Sequence, residues 1–407
     1  MSGKASLLVV LGFSMLFMVI GGKYTGVSGR MTDNYVEYYT ETISHNLAIS
    51  GANLAANQIF LDPTWVTGFS NLAYQNGTIN VSVNIINAFQ NIRQIVSTGT
   101  YNGESSTVRV TLSPSKFSKF AYYSISEGGT IWWMARDTVW GPFHTQDYLR
   151  ASRHPTFYGK ASSRRSIIYE TNKNTDKPYF YGGYESGVDL PMPIDGVNNL
   201  STPAQSDGHY ITGKDTVYME FNRDTLNVKY AWNGAVTKLY LPTATTNGLI
   251  YANNAIVRLK GTVKGAYTVV SGGTSGTKGR IYLDDDIVYD KDPRVYPTST
   301  DMLGIVAKEE VIVTQNTPNN SSINIHGSIY VEDGGFGAEN YSTRPVSGDI
   351  NLLGGIIQNT RRAVSTFSGT TINHGFAKRY RYDERFMVAS PPLFPGTGSF
   401  EIVAWYE

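Results

Sequence analysis

The sequence predicts an α+β protein: a long amino-terminal α-helix, a small antiparallel β module, then a mainly-β domain built as a parallel, β-helix-like solenoid. Three observations carry this prediction. Residues Ala5–Gly22 hold no charge and lie between Lys4 and Lys23. A helix-period pattern continues from Asp33 to a stop at Pro63. Beyond it the apolar period falls to two, in short runs punctuated by glycine, proline and asparagine.

The apolar run comes first. Eighteen helical residues reach ~27 Å, close to the ~30 Å hydrocarbon core of a bilayer. A cleaved secretory signal has a shorter apolar core of roughly 7–15 residues and a small-x-small cleavage site. Here the run ends in Gly21-Gly22-Lys23 without one. Lys4 on one side faces Lys23 and Arg30 on the other, so charge sets no orientation.

The second helical segment places Val36, Thr40, Ile43, Leu47, Ser50, Leu54 and Leu61 on an a/d-like ladder. Ala48, Gly51, Ala52, Ala55 and Ala56 sit among them, a narrow stripe suited to close packing. Glycines in Gly21–Gly29 each cost about 1 kcal/mol relative to alanine, so local melting is expected between the two segments.

In the β module, residues 77–86, 92–101 and 106–114 alternate apolar and polar side chains. Asn102-Gly103 between the last two is a hairpin signal, because both turn positions need positive φ.

The remaining two-thirds of the chain repeat short strands at steps of roughly 20–30 residues, as stacked coils do. Ile250, Ile256, Val263, Ile281, Ile287, Ile305, Val311, Ile325 and Ile329 are the expected inward side chains. A meandering β-sandwich is the alternative architecture. The closing segment, about 359–407, is aromatic and proline-rich and reads as a cap over a solenoid end. Within it Asp383 and Arg385 are expected to pair.

Composition excludes several functions. Basic and acidic residues number 34 and 33, for a net charge of +1, too little surplus for an electrostatic nucleic-acid binder. No cysteine is present, which removes thiolate metal sites and cysteine nucleophiles. No phosphate-binding, dinucleotide or G-x-S-x-G pattern occurs.

Weaker chemical candidates remain. Asp284, Asp286 and Asp290, with Asp285 and Asp292, gather carboxylates of the kind calcium uses, without EF-hand spacing. The expected reading of the cluster is a solvated strand edge that repels lateral aggregation, with calcium the alternative. His144 and His154, ten residues apart in a strand-rich region, would meet on neighbouring coils if they formed a zinc site, and the further ligands are missing. Asp301, Glu309 and Glu310 are the carboxylates a carbohydrate-active solenoid enzyme would draw on. Trp132, Trp133, Trp140 and Tyr181 belong to an aromatic-rich stretch, 120–185, that would touch a glycan or a partner if exposed.

A short leader ending in glycine, an apolar helix and an amphipathic continuation into a β domain together resemble a type IV pilin or pseudopilin. The resemblance implies cleavage by a prepilin peptidase between Gly3 and Lys4. It implies a retained filament-core helix containing Leu7, Leu8, Val9, Leu11, Phe13, Leu16, Phe17, Val19 and Ile20. Two positions depart from the family pattern: Lys4 would be the first mature residue in place of a large apolar one, and Leu8 stands where major pilins carry glutamate. The missing glutamate and the stretch SGANLAANQIF resemble the PilX/GspK class of minor pilins. The phrases around 141–160, Tyr382-Asp383-x-Arg385 and Pro391-Pro392-x-Phe394-Pro395 resemble a solenoid domain of pilus-like exported proteins.

The expected organisation is a leader over 1–3, the pilin helix over 4–62, a pilin-like β module over 63–135 and a solenoid head over 136–407. The implied partners are further copies or other pilin subunits, the prepilin peptidase and the assembly machinery. The chain would wait in the inner membrane and then join a surface filament. A membrane-anchored solenoid adhesin that binds glycans is the alternative. An enzyme is not expected, and no cofactor beyond calcium is indicated.

Overall fold

The computed structural model describes residues 2–87, 91–192, 196–273 and 277–407. Met1, part of the expected leader, lies outside them. The chain divides into two compact units, Met1–Pro114 with Ser399–Glu407, and Ser115–Gly398. The boundary therefore falls earlier than the expected 135/136. Strand Tyr122–Ser126 already pairs within the second unit.

In the first unit, helix α1 (Ser2–Leu61) is one uninterrupted helix. The melting expected at Gly21–Gly29 does not occur. No proline precedes Pro63, so the backbone ladder is never broken. The Thr25 hydroxyl also donates to the Gly21 and Gly22 carbonyls, at 2.9 and 3.0 Å. Strands β1 (Phe69–Tyr74), β2 (Gly77–Asn87), β3 (Ile92–Tyr101) and β4 (Glu104–Lys116) follow as an antiparallel meander. Asn102 and Gly103 adopt φ of 49° and 91°, the left-handed pair that the hairpin requires.

The second half of α1 packs on this sheet through Leu47, Ala48, Ala52, Ala55 and Ile59, against Ile79, Ile95 and Val110. Its buried positions, Thr40, Ser44, Leu47, Ala48, Gly51, Ala52, Ala55 and Ile59, step by three and four at the 3.6 period. Val36, Leu54 and Leu61 of the expected a/d ladder are exposed. A helix lying on a sheet keeps the straight-helix period, whereas an a/d seam belongs to a supercoil.

The second unit is built on a mixed 22-stranded sheet. One ladder runs in parallel through His209–Ile211, Leu249–Ala252, Ala266–Ser271, Met302–Ala307, Ile323–Val331 and Val346–Thr360. It then continues through Tyr122–Ser126, Phe143–Thr145, Ala161–Ser163 and Tyr184–Ser186. The order in space is thus not the order in sequence: the chain enters mid-ladder, runs to one end, and resumes from the other. Antiparallel pairs join Thr216–Arg223 to Thr225–Lys229, Thr225–Lys229 to Thr237–Tyr240, and Ser365–Ser368 to Thr371–Arg381.

Of the nine expected inward residues, eight are fully buried. Ile256 is half-buried, and Val257 and Leu259 take the core face of that strand. Val263 shares that face with them, and Ile256, an odd number of positions away, points to the other.

Where the ladder changes from its late strands to its early ones, Glu127 is buried. Its carboxylate accepts from the Tyr122 hydroxyl (2.7 Å), the Ser124 hydroxyl (2.6 Å), the Trp133 indole (2.9 Å) and Arg361 Nη1 (2.8 Å). Asp137 and Lys378 form a second buried pair at 2.5 Å. These groups tie residues 122–137 to residues 361–378, and each buried charge has its counter-charge.

The expected end cap is corrected. Residues 359–381 contribute to strands within the ladder, where Thr371–Arg381 pairs with both Val346–Thr360 and Thr138–Trp140. Residues 382–398 run beside the stack: Arg385 Nη1 donates to the Ser299 carbonyl (2.8 Å), and Phe394 is buried against Tyr330. The strand Gly396–Tyr406 lies next to β4 in the first unit's sheet. The same apolar and proline-rich residues suit a side strap as well as a cap, so composition does not distinguish them. The Asp383–Arg385 ion pair forms, at 2.6 Å.

Candidate functional site

The candidate site is the first half of α1. Leu7, Leu8, Val9, Leu11, Phe13, Leu16, Phe17, Val19 and Ile20 are between 41% and 72% exposed, and they occupy all sides of the helix. Val10, Met15 and Met18 are exposed as well. Burying a side chain of this size is worth about 1.5–3 kcal/mol, so this surface is far from satisfied by its own chain. The helix is long and apolar enough to cross a membrane.

Local polarity is internally satisfied. Ser6 donates to the Gly3 carbonyl (3.0 Å), Ser14 to Val10 (2.9 Å) and Thr32 to Ser28 (3.0 Å). Hydroxyls bonded back to their own helix can enter an apolar medium without losing a partner. Gly3 and Lys4 are exposed helical residues at the start of this surface. A Cβ at Gly3, Gly12, Gly21, Gly22, Gly26 or Gly29 would touch nothing. At Gly99, in contrast, a Cβ would lie 2.5 Å from the Ala48 nitrogen and 2.6 Å from Leu47 Cβ. The glycines under the packed half are used for close approach, and those of the bare half are open.

The acidic candidates do not converge. Asp284 pairs with Arg258 and accepts from Thr314 (2.8 Å). Asp286 accepts from the backbone and side chain of Asn324 (2.7 and 2.9 Å), and Asp290 pairs with Arg223 (2.9 Å). Among the described residues no three histidine, aspartate or glutamate side chains group as a metal centre. His144 is buried between Ser162 (2.9 Å) and Gln146 (3.3 Å), and His154 bonds the Lys177 carbonyl (2.8 Å). Burial lowers the pKa of His144 and favours its neutral form. Asp301 fixes the Gly265 and Lys291 amides, whereas Glu310 pairs with Arg280 and Arg362. These carboxylates serve separate parts of the stack.

The aromatic candidates divide. Trp133 is fully buried beside Tyr122, Phe143 and Arg361, so it is unavailable to a ligand. Trp132 is half-buried. Trp140 and Tyr181 are exposed and belong to a ring ladder, with Trp140–Tyr158 centroids 5.7 Å apart and Tyr158–Tyr181 5.0 Å apart. They occupy equivalent places in W-G-P-F-H-T, Y-G-K-A-S-S and Y-G-G-Y-E-S, whose strands pair in register at Phe143, Ala161 and Tyr184. The glycine after each ring lets successive turns approach: a Cβ on Gly159 would strike the Gly141 backbone, and one on Gly182 the Gly159 backbone.

Sequence reasoning passed over Trp232, which is 68% exposed between two short antiparallel strands. Its signal was a tryptophan followed by Asn-Gly, a turn that places a large ring outside the core.

No family model matches the sequence, and no curated protein matches it. Among solved structures, the chain is similar to the competence-associated pilin ComZ from Thermus thermophilus, at 14% identity. That match covers 90% of this chain and 96% of the other, with a TM-score of 0.31. Similarity of this degree does not establish a shared fold.

Proposed function

We propose that this chain is a structural subunit of a type IV pilus-like filament, of the minor PilX/GspK-like class, carrying a β-solenoid head. The observation that carries the reading is the division of α1. One continuous helix is anchored to its own sheet from Tyr39 to Ile59, with the Tyr39 ring edge-on to Tyr101, and bare from Gly3 to Tyr38. In a bilayer the bare half meets lipid. In a filament it meets the helices of other subunits, which replace lipid contacts with packed side chains. Its open glycines favour that exchange, because helices approach most closely at small residues.

A prepilin peptidase cutting between Gly3 and Lys4 would release the short leader, and assembly machinery would extract the subunit from the inner membrane to the cell surface. The head's parallel ladders support the solenoid reading. We read its role as structural and not catalytic, and its near-neutral charge fits no nucleic-acid partner.

Amino-terminal sequencing of the protein recovered from cells tests the reading. A mature chain beginning at Lys4, found in sheared surface filaments, is the expected result. A chain beginning at Met1 and confined to membranes overturns it in favour of a simple anchor.

A further inference from the structure

We infer that the groove beside Trp232 is a binding site for a neutral glycan. The groove has a volume of about 430 Å³ and lies on the second unit, between the antiparallel strands Thr216–Arg223 and Thr225–Lys229 and the turn at Asn316. Trp232 stands on its rim. The Lys229 ammonium lies 5.7 Å from the centre of its ring and donates to its carbonyl at 3.0 Å. Tyr218 meets it edge-on, 5.9 Å away. These contacts hold the indole, while two-thirds of its surface stays open as an apolar platform. Sugar rings present C–H faces to such platforms and hydroxyls to the polar groups around them.

Charge selects the class of sugar. The lining contains Lys229, Arg258 and Lys260 against Glu220, Asp284 and Asp285, a balance of three and three. Arg258 is committed to Asp284, and Lys260 to Glu220 at 3.4 Å. Lys229 and Asp285 carry no ion pair among the described residues; Lys229 meets the Trp232 carbonyl and Asp285 Oδ1 the Asp286 amide, and each keeps further hydrogen-bonding capacity for hydroxyls. Asn227 also lines the wall. A polyanion would find no net positive charge there, whereas a neutral, hydroxyl-rich ligand can use both signs.

The ring ladder at Trp140, Tyr158 and Tyr181 serves this purpose less well. Its rings stack on one another with interplanar angles of 6° and 12°, so their facing surfaces are already occupied.

The site deepens the display reading by giving the head a ligand, and it can fail independently of that reading. Full-length protein in detergent is titrated with cellohexaose, chitohexaose and mannohexaose, and with a hexagalacturonate as the anionic comparison, following tryptophan fluorescence and heat. At least one neutral oligosaccharide should bind, with hexagalacturonate at least tenfold weaker. Trp232→Ala should weaken binding tenfold or more, Asp285→Asn should weaken it severalfold, and Trp140→Ala should leave it unchanged. The Trp232 ring is exposed, so its loss should leave the melting temperature unchanged. Failure of all three neutral oligosaccharides, preference for the anionic one, or unchanged affinity in Trp232→Ala overturns the inference. The filament reading fails separately, by a mature chain beginning at Met1.

Discussion

The two halves of α1 share one backbone and one period, yet they solve different problems. From Thr40 to Ile59 the buried residues form a single stripe of small and medium side chains, because only one side of the helix meets a sheet. From Leu7 to Ile20 large apolar residues occupy every side, and all of them are exposed among the described residues. Burial on one side selects a stripe; burial expected from all sides selects an apolar cylinder. The contrast separates a surface that folds the subunit from one that awaits other molecules.

The same truncation should therefore have opposite consequences in the two halves. Leu47→Ala removes a fully buried side chain between α1 and β3 and should cost about 2–5 kcal/mol. Leu16→Ala, at an exposed position, should change thermal stability by less than about 0.5 kcal/mol. Denaturant melts of the two variants in detergent make the comparison. Equal losses would mean that the bare half is folded against something in the monomer.

A charge tests what the bare half awaits. Leu16→Arg should disfavour membrane insertion by about 2.5–3.5 kcal/mol, near the centre of the apolar run. Membrane retention and filament yield, measured by fractionation, should both drop while the purified protein melts normally. Unchanged retention would remove the bilayer from the account.

Acid perturbs the second unit and leaves the helix comparison untouched. His326 is buried, and its Nδ1 accepts the Tyr289 amide at 3.1 Å, which requires a neutral ring nitrogen. Burial pushes its pKa down to about 4, outweighing the pull of Asp292, Asp383 and Asp286 and assisted by Arg294. A lowered pKa means that the native state resists protonation. Its stabilising share is intact above pH ~6.5 and is lost as pH falls toward 4, up to about 3 kcal/mol. His326→Asn should flatten that part of the stability-pH profile. An unchanged profile would place the acid sensitivity elsewhere.

How far the sequence reveals this depends on the range of the interaction. The helix, the Asn102-Gly103 turn and eight of nine inward residues rest on local signals: an unbroken apolar run, two positive-φ residues, and alternation along single strands. The stacking order does not. Tyr122–Ser126 sits beside Ile356–Thr360 because the ladder is closed by buried groups such as Glu127 and Arg361, 234 residues apart. Nothing in either segment names the other. Trp133 and Trp232 show the same limit at single residues, since one ring fills that junction and the other stands on a turn.

The smallest test concerns glycine, and its sign is the informative part. In the packed half, Gly99→Ala places a methyl against the Ala48 nitrogen and the Ser44 carbonyl, both backbone atoms that cannot turn aside. A loss of about 1–3 kcal/mol is expected. In the bare half, Gly22→Ala meets open space on a helix and should stabilise that stretch by about 0.5–1 kcal/mol, read as slower amide exchange around residues 18–26. Filaments add a further comparison, because a methyl harmless to the monomer becomes costly where a neighbouring helix approaches. If Gly22→Ala slows exchange yet lowers filament yield, the open glycines are contact points between subunits. If it slows exchange and assembly is unaffected, the bare half packs through its large side chains instead.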